Sequence, residues 1–192
     1  VEVYFDSALD AAGILEFGFE HVCIATGATW RRDGVARQHM VPVPIDPAMP
    51  LYTPDDLMAG ARPEGHVVVW DDDHYYMGGV LAELLVQAGA RVTFVTSSAH
   101  VSDWTMNTLE QHSIQRRLIE MGVDLVLNRG VTAIGAAGVE SNCSYTDARR
   151  EIGCDAVVMV ASRLAEDGLY RALAARRADW EAAGLRSVRV IG

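Results

Sequence analysis

Apolar positions along the chain fall into two kinds of run. His66–Trp70 (HVVVW) and Arg91–Thr96 (RVTFVT) are continuous apolar stretches, as expected of strands covered on both faces. Between them Tyr76–Ala88 takes a helical period and stops at Gly89. Strand, helix and strand of these lengths predict a right-handed βαβ unit with parallel strands. A second helix is predicted over Thr108–Met121, with Ile114, Leu118 and Met121 on one face, followed by a strand at Val123–Leu127. The pattern then shortens. Val131–Gly135, Val139–Tyr145 and Ala148–Ile152 alternate between small or polar turns and predict an antiparallel meander. Asp155–Ala161 is again a buried strand, Leu169–Ala183 a helix with Leu173 and Trp180 on one face, and Ser187–Ile191 a final strand.

Upstream of these elements, Val1, Val3 and Phe5 alternate with Glu2 and Tyr4 and predict a strand. Ser7–Phe19 is irregular or helical, and His21–Thr26 is a short buried strand ended by Gly27. The stretch from Trp30 to Pro63 holds all six prolines of the chain and reads as a crossover between domains. One short helix is expected in it at Thr53–Gly60, where a capping hydroxyl precedes a proline at the first helical position. A chain that opens in one strand and closes in another suggests two cut ends. The expected fold is α/β, a Rossmann-like parallel sheet with a βαβ unit and an antiparallel meander. Residues 1–34 would be the end of a first domain, 35–65 the crossover, 66–161 a second domain and 162–192 the return to the first.

The net charge of −10 argues against nucleic acid or an anionic membrane as a partner. No apolar run approaches the roughly eighteen residues of a membrane span, and a cytoplasmic location is expected. Cys23, Cys143 and Cys154 are scattered, with no CxxC spacing, so they predict reduced thiols and neither a disulfide frame nor a metal site.

Four separated words carry a resemblance. IATGATWRRDG at Ile24–Gly34, LYTPDDLMAG at Leu51–Gly60, VVVWDDDHYYMGGVLAELLVQAGARVTFVT at Val67–Thr96 and LEQHSIQRRL at Leu109–Leu118 resemble the trimethylamine, dimethylamine and histamine dehydrogenase family. The order of elements is similar to the flavoprotein architecture with two dinucleotide-type folds. The resemblance implies a parent enzyme whose N-terminal barrel carries covalent FMN and is followed by a four-cysteine 4Fe-4S cluster. It implies an ADP in the first dinucleotide-type domain and electron delivery to an electron-transferring flavoprotein, in a protein that oxidises small amines. This chain would be the end of the first such domain and the whole of the second, without a catalytic residue of its own and covering the barrel domain. Ala25, Thr26 and Gly27, together with Gly192, would lie near the ADP. A homo-oligomer is expected, of an order the sequence does not give.

A nicotinamide site in the second domain would need a glycine-rich turn after its first strand, because the diphosphate sits against that backbone and the helix N-terminus. The chain instead has Asp71, Asp72, Asp73, His74, Tyr75, Tyr76 and Met77 ahead of Gly78 and Gly79. A carboxylate 4 Å from a phosphate charge costs roughly 4 kcal/mol at an effective dielectric of 20. The bulky side chains fill the space glycines leave open, and Thr96, Ser97 and Ser98 offer no acid for a ribose. NAD(P) is therefore not expected here. Metal binding by consecutive residues is disfavoured. One of the aspartates is expected to cap the helix and the others to be solvated, with partner docking through exposed acid and tyrosine as a further possibility. Trp30, Arg31 and Arg32 suit a domain interface or a nucleotide. His100, Ser102 and Asp103 have the residue types of a hydrolytic triad, but adjacent loop residues do not form one. His112 is expected on an exposed helix face or in a packing contact, Trp104 and Trp180 in a core or interface. The rivals are a pyridine-nucleotide-dependent flavin oxidoreductase, such as a dienoyl-CoA reductase relative, and a free-standing docking module.

Overall fold

A computed structural model describes residues 2–146 and 148–191. In chain order the elements are α1 (Ala11–Phe17), β1 (His21–Ile24), β2 (Ala28–Trp30), β3 (Leu51–Tyr52), α2 (Pro54–Met58), β4 (His66–Asp71), α3 (Tyr76–Gln87), β5 (Arg91–Thr96), α4 (Gln111–Glu120), β6 (Asp124–Val126), β7 (Arg129–Gly135), β8 (Gly138–Cys143), β9 (Arg149–Gly153), β10 (Ala156–Val160), β11 (Arg163–Ala165), α5 (Gly168–Ala175) and β12 (Ser187–Val190). Single 3-10 turns lie at Asp103–Thr108 and Arg177–Asp179. The chain folds as two units, one of Trp30–Arg163 and one of Val1–Thr29 with Leu164–Gly192.

The larger unit is built on a five-stranded sheet in the order β3-β10-β4-β5-β6, every neighbouring pair parallel. Its three inner strands β10, β4 and β5 are largely apolar because both faces are covered, and the period of two sorts their side chains between two cores. Val67, Val69, Val92, Phe94, Val158 and Val160 face one core, shared with Leu57 of α2, Leu81 and Leu85 of α3 and Leu118 of α4. Val68, Trp70, Val95, Val157 and Met159 face the other. There they meet Val131, Ile134, Val139 and Ile152 of the antiparallel β7-β8-β9 meander, and Ala36, Val43 and Met49 of the proline-rich crossover. The crossover is thus half of a core wall as well as a connection. Its helix α2 starts at Pro54, and the Asp56 carboxylate accepts the Thr53 backbone N–H at 2.7 Å.

In the smaller unit β1 and β12 pair in parallel, His21 opposite Ser187 and Ile24 opposite Val190. Ala11, Ile14 and Leu15 of α1 pack with Ile24, Leu173, Trp180 and Leu185. The Asp10 carboxylate starts α1 by accepting the Gly13 N–H at 2.8 Å, and Gly18, in the left-handed region at φ 70°, ends it.

Three sequence expectations are corrected. Residues 2–10 form no strand: Val3, Tyr4 and Phe5 lie exposed, with no ladder to take their backbone groups. Val1, also assigned to that strand, is outside the described residues. The helix expected over Thr108–Met121 begins only at Gln111, because Leu109 takes φ 63° and breaks the run. The helix expected over Leu169–Ala183 ends at Ala175, and a 3-10 turn follows. The Leu173 carbonyl accepts the Arg176 N–H and the Trp180 indole N–H, both at 3.0 Å. A longer α-helix would direct that carbonyl to the next turn.

Leu173→Ala removes a fully buried side chain from the seven-residue core of the smaller unit. We expect a loss of about 2–5 kcal/mol in urea denaturation; an unchanged midpoint would show that this core contributes nothing to stability.

Candidate functional site

In an open parallel sheet, ligands settle outside the carboxyl ends of the strands where the chain order reverses. Here that point is the end of β4: the chain runs from β4 through α3 to β5 on one side, and β10 flanks it on the other. The residues there are the acidic run, and they fold back over the crevice. The N–H groups of Asp72 and Asp73 both donate to the carbonyl of Val160, the last residue of β10, at 2.9 and 3.2 Å. Asp73 also meets the Arg163 guanidinium at 3.3 Å. The turn thereby ties the two central strands together across the position a pyrophosphate would take.

Burial overturns the expectation that these acids cap the helix or lie solvated. Asp71, Asp72, Asp73 and His74 are 0, 1, 8 and 6 % exposed. The residue at the N-cap of α3 is Tyr75, and no side chain makes a capping bond. Asp71 points inward instead, accepting the His74 N–H at 3.3 Å through Oδ1. A Cβ built on Gly78 would lie 2.7 Å from that carboxyl, and one on Gly79 would lie 3.2 Å from Ser102 Oγ and from Ile114. The room opened by the glycine pair is filled by this chain's own side chains. The carboxylates are turned inward, away from solvent, so the charge presented to the crevice is not the one expected from sequence.

His74 sits in the left-handed region at φ 61°, which is uncommon for a residue with a side chain. Its ring is held by Asp72 Oδ1 at 3.2 Å, Thr96 Oγ1 at 3.2 Å and Ser97 Oγ at 3.4 Å, with Asp71 Oδ2 3.9 Å away. Asp72 takes two more donors, the Gln38 N–H at 2.8 Å and the Ser97 hydroxyl at 3.1 Å. Burial alone would raise its pKa, but these donors and the His74 charge hold the Asp72 carboxyl below its ordinary value. Burial pushes His74 down, and the Asp72 bond and the two nearby carboxylates more than offset it, leaving the imidazole above its ordinary value. His74 and Asp72 thus form a buried ion pair. Asp71 has only the His74 N–H and the His74 charge in its favour: burial outweighs both and pushes it up to about 7. Asp71 Oδ2 and Ser102 Oγ are buried without a hydrogen-bond partner.

Around this core the tyrosines stay near the surface. Tyr75 is partly exposed and stacks edge-on against Tyr76, whose hydroxyl bonds Thr108 and Glu110. Met77 packs against the helix-side core. Trp104, expected in a core or interface, is half exposed with the Arg37 guanidinium 4.3 Å over its ring; Trp180 is buried as expected. His112 is exposed on α4. Trp30 is buried in the helix-side core under Arg163, while Arg31 pairs with Asp33 and Arg32 with Asp56. His100 bonds Asp103 at 2.9 Å, but the Ser102 side chain is buried beside Gly79, so the triad residue types do not assemble. Among the described residues no group of three or more His, Cys, Asp or Glu side chains could hold a metal ion, and no helix is long and apolar enough to cross a membrane.

In the smaller unit Ala25, Thr26 and Gly27 follow β1 and are all exposed. Gly27 takes φ 74°, and a Cβ there would meet nothing within 4 Å. The Thr26 hydroxyl donates to the Glu166 carbonyl, whose own N–H donates to the Gly27 carbonyl at 2.9 Å. Gly192 lies outside the described residues.

Gly78→Ala forces a methyl into the Asp71 carboxyl. We expect a loss of about 1–3 kcal/mol, as for overpacked cores, recovered in part by adding Asp71→Ser. Thermal melts of the two variants check this; a double variant no more stable than Gly78→Ala would show that the carboxyl is not what the glycine accommodates.

Three comparisons set this site in a family. A histamine dehydrogenase from Rhizobium sp. 4-9 superposes with a TM-score of 0.96 at 64% identity, over 100% of this chain and 30% of that one. The 6-hydroxypseudooxynicotine amine oxidase of Pseudomonas geniculata N1 gives 0.90 at 40% identity, over 98% and 28%. The dimethylamine dehydrogenase of Hyphomicrobium sp. (strain x) is 34% identical over 205 residues, covering 96% of this chain and 28% of its own length. The chain thus spans less than a third of each of these relatives. The sequence profile described as OYE-like second alpha/beta domain matches residues 52–153, which hold β4, the closing turn, α3, β5 and the meander. The chain belongs to the OYE-like second alpha/beta domain family, and its relatives are amine dehydrogenases and an amine oxidase.

Proposed function

We propose that this chain is the nucleotide-fold portion of an iron–sulfur flavoprotein that oxidises small methylated or primary amines, and that its Rossmann-like unit serves as scaffold with its dinucleotide crevice closed. The observation that carries the scaffold role is the turn at Asp72 and Asp73 bonded to Val160 across the strand ends. In the parent, FMN supplies oxidation of the amine and a 4Fe-4S cluster supplies one-electron transfer toward an electron-transferring flavoprotein. Both groups would be held by parts of the polypeptide outside this chain. Residues 1–34 and 162–192 would belong to an ADP-type domain and 66–161 to the closed one, joined by the crossover at 35–65.

The turn at Ala25–Gly27 fits the approach of an adenine nucleotide. Its three residues are exposed and the space beside Gly27 is open. The Thr26 hydroxyl is already engaged by Glu166, so the turn would offer mainly backbone and van der Waals surface. Gly192 would complete that contact. The closed unit would cover the barrel domain of the same polypeptide in a cytoplasmic homo-oligomer.

Two measurements on the full polypeptide test this. Anaerobic addition of histamine or dimethylamine is expected to bleach the flavin absorbance, whereas NADH and NADPH at micromolar concentration leave it unchanged and shift neither melting temperature nor tryptophan fluorescence. Bleaching by a pyridine nucleotide and not by any amine would sink the proposal in favour of a nicotinamide-dependent reductase.

A further inference from the structure

The buried cluster at the end of β4 reaches three separate segments. Asp72 takes the Gln38 N–H of the crossover, His74 gives its carbonyl to the Trp104 N–H at 3.0 Å, and the ring of His74 bonds Thr96 and Ser97 after β5. Arg37 lies over Trp104, so the crossover and the 3-10 turn also touch above the cluster. All of this rests on a floor made by Asp71 against Gly78. One oxygen of that carboxyl has no donor, and the nearby Ser102 hydroxyl is likewise unpartnered.

We propose that Asp71 is a proton-operated latch: the neutral carboxyl holds the turn at residues 72–74 shut, and opening of the turn releases its proton to solvent. The charged groups acting on it are those of its own turn, Asp72, Asp73 and His74. Around that turn the crossover brings Arg37 toward His74 and His39 against Trp70, the segment after β5 brings the neutral Thr96 and Ser97 to the His74 ring, Asp103 is held by His100, and Arg163 neutralises Asp73. With His74 paired to Asp72 and Arg163 to Asp73, a neutral Asp71 leaves those two pairs undisturbed, while Arg37 acts on His74 from the crossover. An ionised Asp71 adds a negative charge that no donor meets on Oδ2.

The sign follows from linkage. The closed form keeps the Asp71 proton up to about pH 7, while a solvated aspartate loses it near pH 4. The latch is fully shut below the lower value and weakens as pH rises toward the higher one. Asp72, held low, acts in the opposite direction only in acid, and His74, held high, loses its pairing only above its ordinary value. Between about pH 5 and 6.5, Asp71 is therefore the group of this cluster that sets the slope.

Hydrogen exchange on the full polypeptide reads this directly at the amides of Gln38, Asp72, Asp73, His74 and Trp104. After correction for intrinsic exchange, their opening is expected to rise about tenfold per pH unit between about pH 5 and 6.5 and to level off above about 7. Asp71→Asn keeps an acceptor for His74 and is expected to flatten that rise; Asp71→Ser serves if the Asn variant does not fold. A flat profile in the unsubstituted protein, or a slope retained in the variant, would overturn the latch. Because the readout involves neither amine nor flavin, it stands or falls apart from the proposed enzyme activity.

Discussion

Two backbone amides, those of Asp72 and Asp73, donate to the terminal carbonyl of β10, and the rest of the site is arranged around that junction. In a dinucleotide-binding fold the same place is left open so that phosphate oxygens can approach a glycine turn and the helix N-terminus. Here the main chain fills it. With the crevice bridged by its own amides, Asp71 is forced under α3, His74 is forced into the left-handed region, and the crossover and the segment after β5 must supply donors to the buried acids.

An acidic turn is an unusual occupant of a buried position, because unpaired buried charge costs several kcal/mol. The arrangement meets that cost in three ways. Asp73 pairs with the half-exposed Arg163; Asp72 combines the His74 imidazole with a backbone donor and a hydroxyl; burial of Asp71 favours its protonated form. Neutralisation, ion pairing and surface pairing thus each take one carboxylate. At the glycine pair at the start of α3, a Cβ would strike Asp71 at the first position and press on Ser102 and Ile114 at the second.

Closure of one nucleotide crevice is compatible with a chain that matches under a third of each amine-oxidising relative. Under the proposed function, chemistry would belong to other parts of the polypeptide, and this unit would act through its rigidity. A sheet covered on both faces, with a core on each side, suits that role, as does a crossover packed into one of those cores.

The sequence by itself determined the sheet. His66–Trp70, Arg91–Thr96 and Asp155–Ala161 each hold a mostly apolar, Val-rich run that suits a strand covered on both faces, and the structure sets them side by side in parallel. Tertiary structure decided where the acids go. Their burial depends on Gln38, Ser97, Val160 and Arg163, partners up to 90 residues away, and local pattern carries no trace of such contacts. The same limit explains the missed helix boundaries. Leu109 delays the start of α4 through a backbone angle, and beyond the end of α5 the Trp180 indole takes the Leu173 carbonyl, whereas a periodicity of apolar residues records only which face is buried.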